Sequence, residues 1–149
     1  MAVSVDTNIF VYALNRNSDV HEPARRFLES LAHRTDVVIA ELTLVELYLL
    51  IRNPTIFPNP YPAPQAVEAC RAFVRNPNWQ IVECRPVMER VWDAAGVADF
   101  ARRRIIDARL ALTLRAAGVT EFATRNTGHF AGFGFERVFD PLGPDGATE

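Results

Sequence analysis

A chain of 149 residues with 49% hydrophobic and 23% charged residues has the size and balance of one packed domain, too short for two and too apolar for disorder. Eighteen acids against 16 bases leave a net charge of -2, so any contact with nucleic acid has to come from a local patch. All 16 bases are arginine, and without lysine there is no Walker A loop, no Schiff-base lysine and no aspartate–lysine site of the dehalogenase-phosphatase or response-regulator kind.

In chain order, Ala2 to Val5 is a short apolar strand stopped by Asp6-Thr7-Asn8, and Ile9 to Leu14 reads as helix. Pro23 suits the first turn of a second helix with Phe27, Leu28 and Leu31 on one face. Val37 to Ala40 is a β-branched strand without alternation, as in a sheet buried on both faces. Leu42 to Ile51 is apolar nearly all round and predicts a buried helix. The proline-spaced stretch 53–64 predicts an ordered loop, because Phe57 and Tyr61 need burial. A helix from about Gln65 to Arg75 and a strand from Trp79 to Glu83 follow. Pro86 opens a helix with Val87, Val91 and Trp92 on its apolar side. The run Arg102-Arg103-Arg104 precedes a helix from Ile106 to Ala117 closed by Gly118. Glu121 to Thr124 is a strand, Asn126 to Phe130 a helical turn, and Phe135 to Phe139 the last strand. Strands alternating with helices predict a parallel α/β sheet covered on both faces. No repeat or internal boundary divides it.

Ligands of parallel sheets bind outside the carboxyl ends of the strands, and Asp6 stands there. On that residue alone, helix capping is explanation enough. Glu46 is surrounded in sequence by leucine, valine and tyrosine, and an unpaired carboxylate there costs several kcal/mol or takes up a proton. Its counter-charge is either an arginine such as Arg52 or Arg109, or a metal ion. Asp107 in a first helical turn suits the macrodipole. The arginine run is either a solvated face or, beside a groove, a phosphate-contacting patch of Arg102, Arg103 and Arg104. The two cysteines, Cys70 and Cys84, form no Cys-x-x-Cys pair and predict neither zinc nor a disulfide framework. No apolar run approaches the roughly 18 residues that cross a bilayer, and no leader-type segment opens the chain. A cytoplasmic protein without membrane contact is expected.

Together, Asp6-Thr7-Asn8 after a strand, Glu46 in a leucine-rich helix, Asp107 opening a later helix, Ala-Thr-Arg-Asn-Thr-Gly-His-Phe at 123–130 and Val-Phe-Asp-Pro at 138–141 resemble the PIN-domain family. Within it they are most similar to the VapC-type toxins of bacterial and archaeal toxin–antitoxin pairs. The resemblance spans about residues 2 to 142 and implies a three-layer α/β/α domain with a central parallel sheet, taken as residues 1–142, with a disordered tail at 143–149. It implies a Mg²⁺- or Mn²⁺-dependent ribonuclease with Asp6, Glu46 and Asp107 as catalytic acids, Asp6 and Asp107 binding the metal directly. A water on that ion would attack the phosphodiester, leaving a 5′-phosphate and a 3′-hydroxyl. The family's fourth acid falls on Asn126, an amide here, with Thr7, Asn8 and Thr124 as auxiliary polar positions. Hard oxygen donors favour Mg²⁺ or Mn²⁺ over zinc. His129 is given a packing or substrate-side role. The implied partners are RNA, a cognate antitoxin and a second copy of the chain. Alternatives are an inactive PIN-like domain binding RNA or antitoxin, and a phosphatase-like α/β domain, the latter disfavoured by the missing lysine and glycine-rich loop.

Overall fold

The computed structural model describes residues 2–144. Five strands form one sheet in the order β3-β2-β1-β4-β5, and every pairing is parallel. These are β1 (Ala2–Val5), β2 (Val37–Ala40), β3 (Trp79–Val82), β4 (Val119–Ala123) and β5 (Arg137–Phe139). Six helices connect them: α1 (Thr7–Leu14), α2 (His21–Leu31), α3 (Glu41–Ile51), α4 (Ala63–Val74), α5 (Met88–Ala95) and α6 (Arg104–Ala116). Because side chains alternate across a strand, the sheet divides its residues between two cores. Val3, Val5, Val37 and Ile39 pack against α1 to α4, whereas Val38, Ala40, Val82 and Phe122 pack against α6. The expected three layers are therefore present. The tail expectation reaches residues 145–149, which lie outside the described residues.

Two helices are less buried than their sequences suggest. In α3, Leu44, Leu47 and Ile51 fill the core stripe, while Val45 and Leu49 form an outer stripe, 51% and 62% exposed. In α5, Val91 faces inward one turn after Val87, but Trp92 lies about 100° further round and is exposed. The helix α6 begins at Arg104, two residues earlier than expected, so one arginine of the run is helical. The proline loop is ordered as expected: Phe57 is buried and meets Tyr61 edge-to-face with ring centroids 5.9 Å apart. After α6, Gly118 takes φ 87°, a left-handed conformation that turns the chain into β4.

Candidate active site

The register between β1 and β4 builds the centre of the site. Val5 lies beside Ala123, so the next residues, Asp6 and Thr124, emerge together at the carboxyl edge. Asp6 N–H donates to the Ala123 carbonyl at 2.9 Å, continuing the ladder one step past the strand. Asp6 also caps α1, its Oδ1 accepting from Thr7 N–H at 2.8 Å, while Thr124 Oγ1 donates to Oδ2 at 2.6 Å. Burial pushes the Asp6 carboxyl up from 3.8 to about 6; Glu46 and Asp107 add repulsion, and the Thr124 and Thr7 hydrogen bonds resist the rise. The capping residue of α1 therefore also stands within electrostatic reach of two further acids.

Glu46 finds neither of the arginines considered for it. Its Oε2 accepts from Thr7 Oγ1 at 2.9 Å, and Arg52 instead donates to the Tyr48 hydroxyl at 2.8 Å. Glu46 lies on the partly open flank of α3 rather than in an apolar interior. Thr7 thus holds Asp6 with its backbone and Glu46 with its hydroxyl, joining two acids 40 positions apart.

Asp107 occupies the first turn of α6, and desolvation raises its pKa while His129 and Arg104 pull it down. His129 Nδ1 stands 3.7 Å from Asp107 Oδ2. Asn126 is exposed, and its backbone N–H donates to Thr124 Oγ1 at 3.0 Å. Asn8 carries a buried Oδ1 without a hydrogen-bond partner. Arg102 and Arg103 are exposed, whereas Arg104 Nη2 donates to the His129 carbonyl at 3.0 Å. That last bond had no signal in the sequence, since Arg104 reads as one member of a charged run.

The donor set suits a hard divalent ion. Asp6, raised chiefly by desolvation, also feels the charges of Glu46 and Asp107, and the orphaned Asn8 side-chain oxygen is two residues away. A cation there removes the repulsion and the unmet hydrogen-bonding need together. Among the described residues, no three Asp, Glu, His or Cys side chains close on one point as a finished cage.

Residues 3–136 match the PIN domain. Ribonuclease VapC24 of Mycobacterium tuberculosis is 52% identical over 144 residues, covering 97% of this chain and 99% of that protein. Among solved structures, Mycobacterium tuberculosis VapC20, a sarcin-ricin loop cleaving toxin, superposes with a TM-score of 0.67 at 20% identity, over 90% of this chain and 96% of that one. FitAcB from Neisseria gonorrhoeae superposes with a TM-score of 0.60 at 21% identity, over 93% and 97%. FitAB bound to the IR36 DNA fragment gives 0.61 at 20%, over 95% and 96%. At such identities the solved structures speak for the fold, which is that of a PIN domain. The chain belongs to the PIN-domain family, in the VapC-type branch that includes the mycobacterial ribonuclease.

Proposed function

We propose that this protein is a Mg²⁺- or Mn²⁺-dependent endoribonuclease of the VapC toxin type, cutting RNA at the pocket formed by Asp6, Glu46 and Asp107. The observation that carries the reading is a buried Asp6, pushed up to about 6, within electrostatic reach of acids from two other segments, Glu46 and Asp107. Thr124 and Thr7 each hold one Asp6 oxygen. Each oxygen keeps a further lone pair, so the carboxylate is oriented yet still able to bind a cation. Asp6 and Asp107 would hold the ion, with the Asn8 side-chain Oδ1 as a neutral donor. When bound, the ion supplies Lewis-acid polarisation of the scissile phosphate and activation of the attacking water. Glu46, fixed at Oε2 by Thr7, offers Oε1 as acceptor for a proton from that water. The exposed Arg102 and Arg103 supply local positive charge for the RNA backbone.

RNA incubated with the purified protein should be cut to 5′-phosphate and 3′-hydroxyl ends in Mn²⁺ or Mg²⁺, and left whole in EDTA. Asp107→Asn should lower the rate at least about a hundredfold, beyond the usual 10–100-fold cost of losing a metal's outer-shell partner. Cleavage indifferent to chelation would refute the metal-dependent reading. Binding of RNA without cleavage would instead favour the inactive PIN-like alternative.

Asn126 gives a graded test. Asn126→Asp places a charge near the pocket, and its exposure screens the effect, so Mn²⁺ affinity should rise roughly three- to tenfold by calorimetric titration. Equal affinity in the two forms would put position 126 outside the ion's reach.

The family likeness also supports an antitoxin partner, a cytoplasmic setting and a homodimer. No helix among the described residues is long and apolar enough to cross a membrane. For the homodimer, Val45, Leu49 and Val74 border a groove of about 470 Å³ between α3, α4 and β3, with Glu41 and Arg71 also lining it. A two-fold contact through this groove would cover the outer α3 stripe of each copy. Leu49→Glu should convert the dimer to monomer in light scattering; a dimer that persists would take this face out of the interface.

A further inference from the structure

Arginine is an unfavourable residue with which to begin a helix, because a cation there opposes the macrodipole. Yet Arg104 opens α6, and no side chain caps that end. Its surroundings supply the compensation. The guanidinium lies over the rings of Phe100 and Phe133, 5.6 and 5.8 Å from their centroids. From between them, Nη2 donates to the His129 carbonyl at 3.0 Å, while Nε is buried without a partner. The two segments that meet here both belong to the pocket. One carries Asp107, three residues along α6; the other is the turn 126–130, whose His129 ring stands 3.7 Å from Asp107. By contrast, Arg102 and Arg103 are exposed and form no hydrogen bond or ion pair among the described residues.

We infer that Arg104 is a positioning residue: held in cation–π range of Phe100 and Phe133 and bonded to the His129 carbonyl, it locks the Asp107 end of α6 to the turn 126–130. This deepens the proposed cleavage site and rests on that reading. Sequence groups the three arginines as one run, either a solvated face or a phosphate-contacting patch, but in the structure Arg104 is half-buried where Arg102 and Arg103 are exposed. One arm of its guanidinium fork is engaged with the His129 carbonyl. A lysine keeps the charge but has neither the fork nor the planar face, so it cannot replace this arrangement.

The test compares Arg104→Lys with Arg102→Gln/Arg103→Gln in the full chain, with thermal unfolding confirming that each is folded. Hydrogen exchange at residues 126–130 should quicken about tenfold in Arg104→Lys, with Mn²⁺ binding weakened about tenfold. Its kcat should fall 10–100-fold with KM within twofold, as for a lost alignment rather than a lost contact. RNA binding measured in EDTA should keep its salt dependence in a charge-removing variant, Arg104→Gln. The double variant should lose about 0.7 of slope per arginine and leave exchange at 126–130 unchanged. Unaltered exchange in Arg104→Lys, or a slope reduced by about 0.7 in Arg104→Gln, would overturn the assignment. A native protein that neither binds Mn²⁺ nor cuts RNA would defeat the cleavage reading instead, while exchange at 126–130 would still report on the Arg104 lock.

Discussion

Asp6→Asn should abolish RNA cleavage and, with metal removed, should melt higher than the native protein at neutral pH. The two effects share one cause. Asp6 titrates near 3.8 unfolded but at about 6 when buried beside Thr124, Glu46 and Asp107. Between those values the folded state holds a proton that the unfolded chain has released. The metal-free fold is therefore least penalised below 3.8, loses stability as pH rises toward 6, and carries the full penalty above it. A shift of about two units corresponds to about 3 kcal/mol. Asparagine is as good an N-cap as aspartate, so the bond from Thr7 survives. Its amide cannot accept from Thr124 in the same geometry, which returns roughly 1 kcal/mol or more of the gain. The net expectation is about 1–2 kcal/mol, or about 2–8 °C in melting temperature. Melting curves in EDTA from pH 4 to 8 check this: the native curve should fall with pH and the variant stay flatter. Parallel curves would mean that Asp6 carries no electrostatic strain.

Phe130→Ala should cost about 3–5 kcal/mol, a drop of roughly 10 °C. Phe130 is 2% exposed and meets Phe122 edge-to-face at 4.6 Å, and Phe122 stacks on Phe135 at 5.3 Å. This aromatic column ties the turn 126–130 to β4 and to the buried face of α6. Cleavage should fall as well, because the turn carries Asn126 and His129. Phe57→Ala is the control, a buried phenylalanine in the opposite core layer. It should destabilise comparably while leaving the folded protein's kcat near native. Should Phe130→Ala lower melting by less than about 3 °C, the column would not be what anchors the turn.

The strands were the most legible part of the chain. Val37 to Ala40 is a run of apolar residues that fits only a sheet covered on both sides, and β2 has those bounds. Helix faces were harder to read. In α3 the apolar residues continue past the core stripe onto the flank, so composition overstated the burial of Glu46 and hid its exposed neighbours Val45 and Leu49. Asp6, Glu46 and Asp107 were grouped through a family resemblance, by their order and context in the chain, and the structure sets Glu46 in the middle of α3 rather than at its start. What connects them was not. The Thr7 hydroxyl reaches Glu46 across 39 residues, and Thr124 reaches Asp6 across 118. Such pairs depend on strand register, which local pattern does not encode. Arg104 was hidden for a related reason, since the rings that hold it, Phe100 and Phe133, arrive from different segments.

The placement of β1 between β2 and β4 bears on how the protein is made. Synthesis delivers β1 first, yet one of its two neighbours is encoded more than a hundred residues later. While the chain is still growing, β1 can pair with β2, but its other edge stays open and Asp6 lacks the hydroxyl of Thr124. Pairing over such separation is slow and completes late. The acidic pocket therefore closes only after residues 119–139 have been translated. A growing chain of this topology holds Asp6 without its Thr124 partner until β4 has emerged.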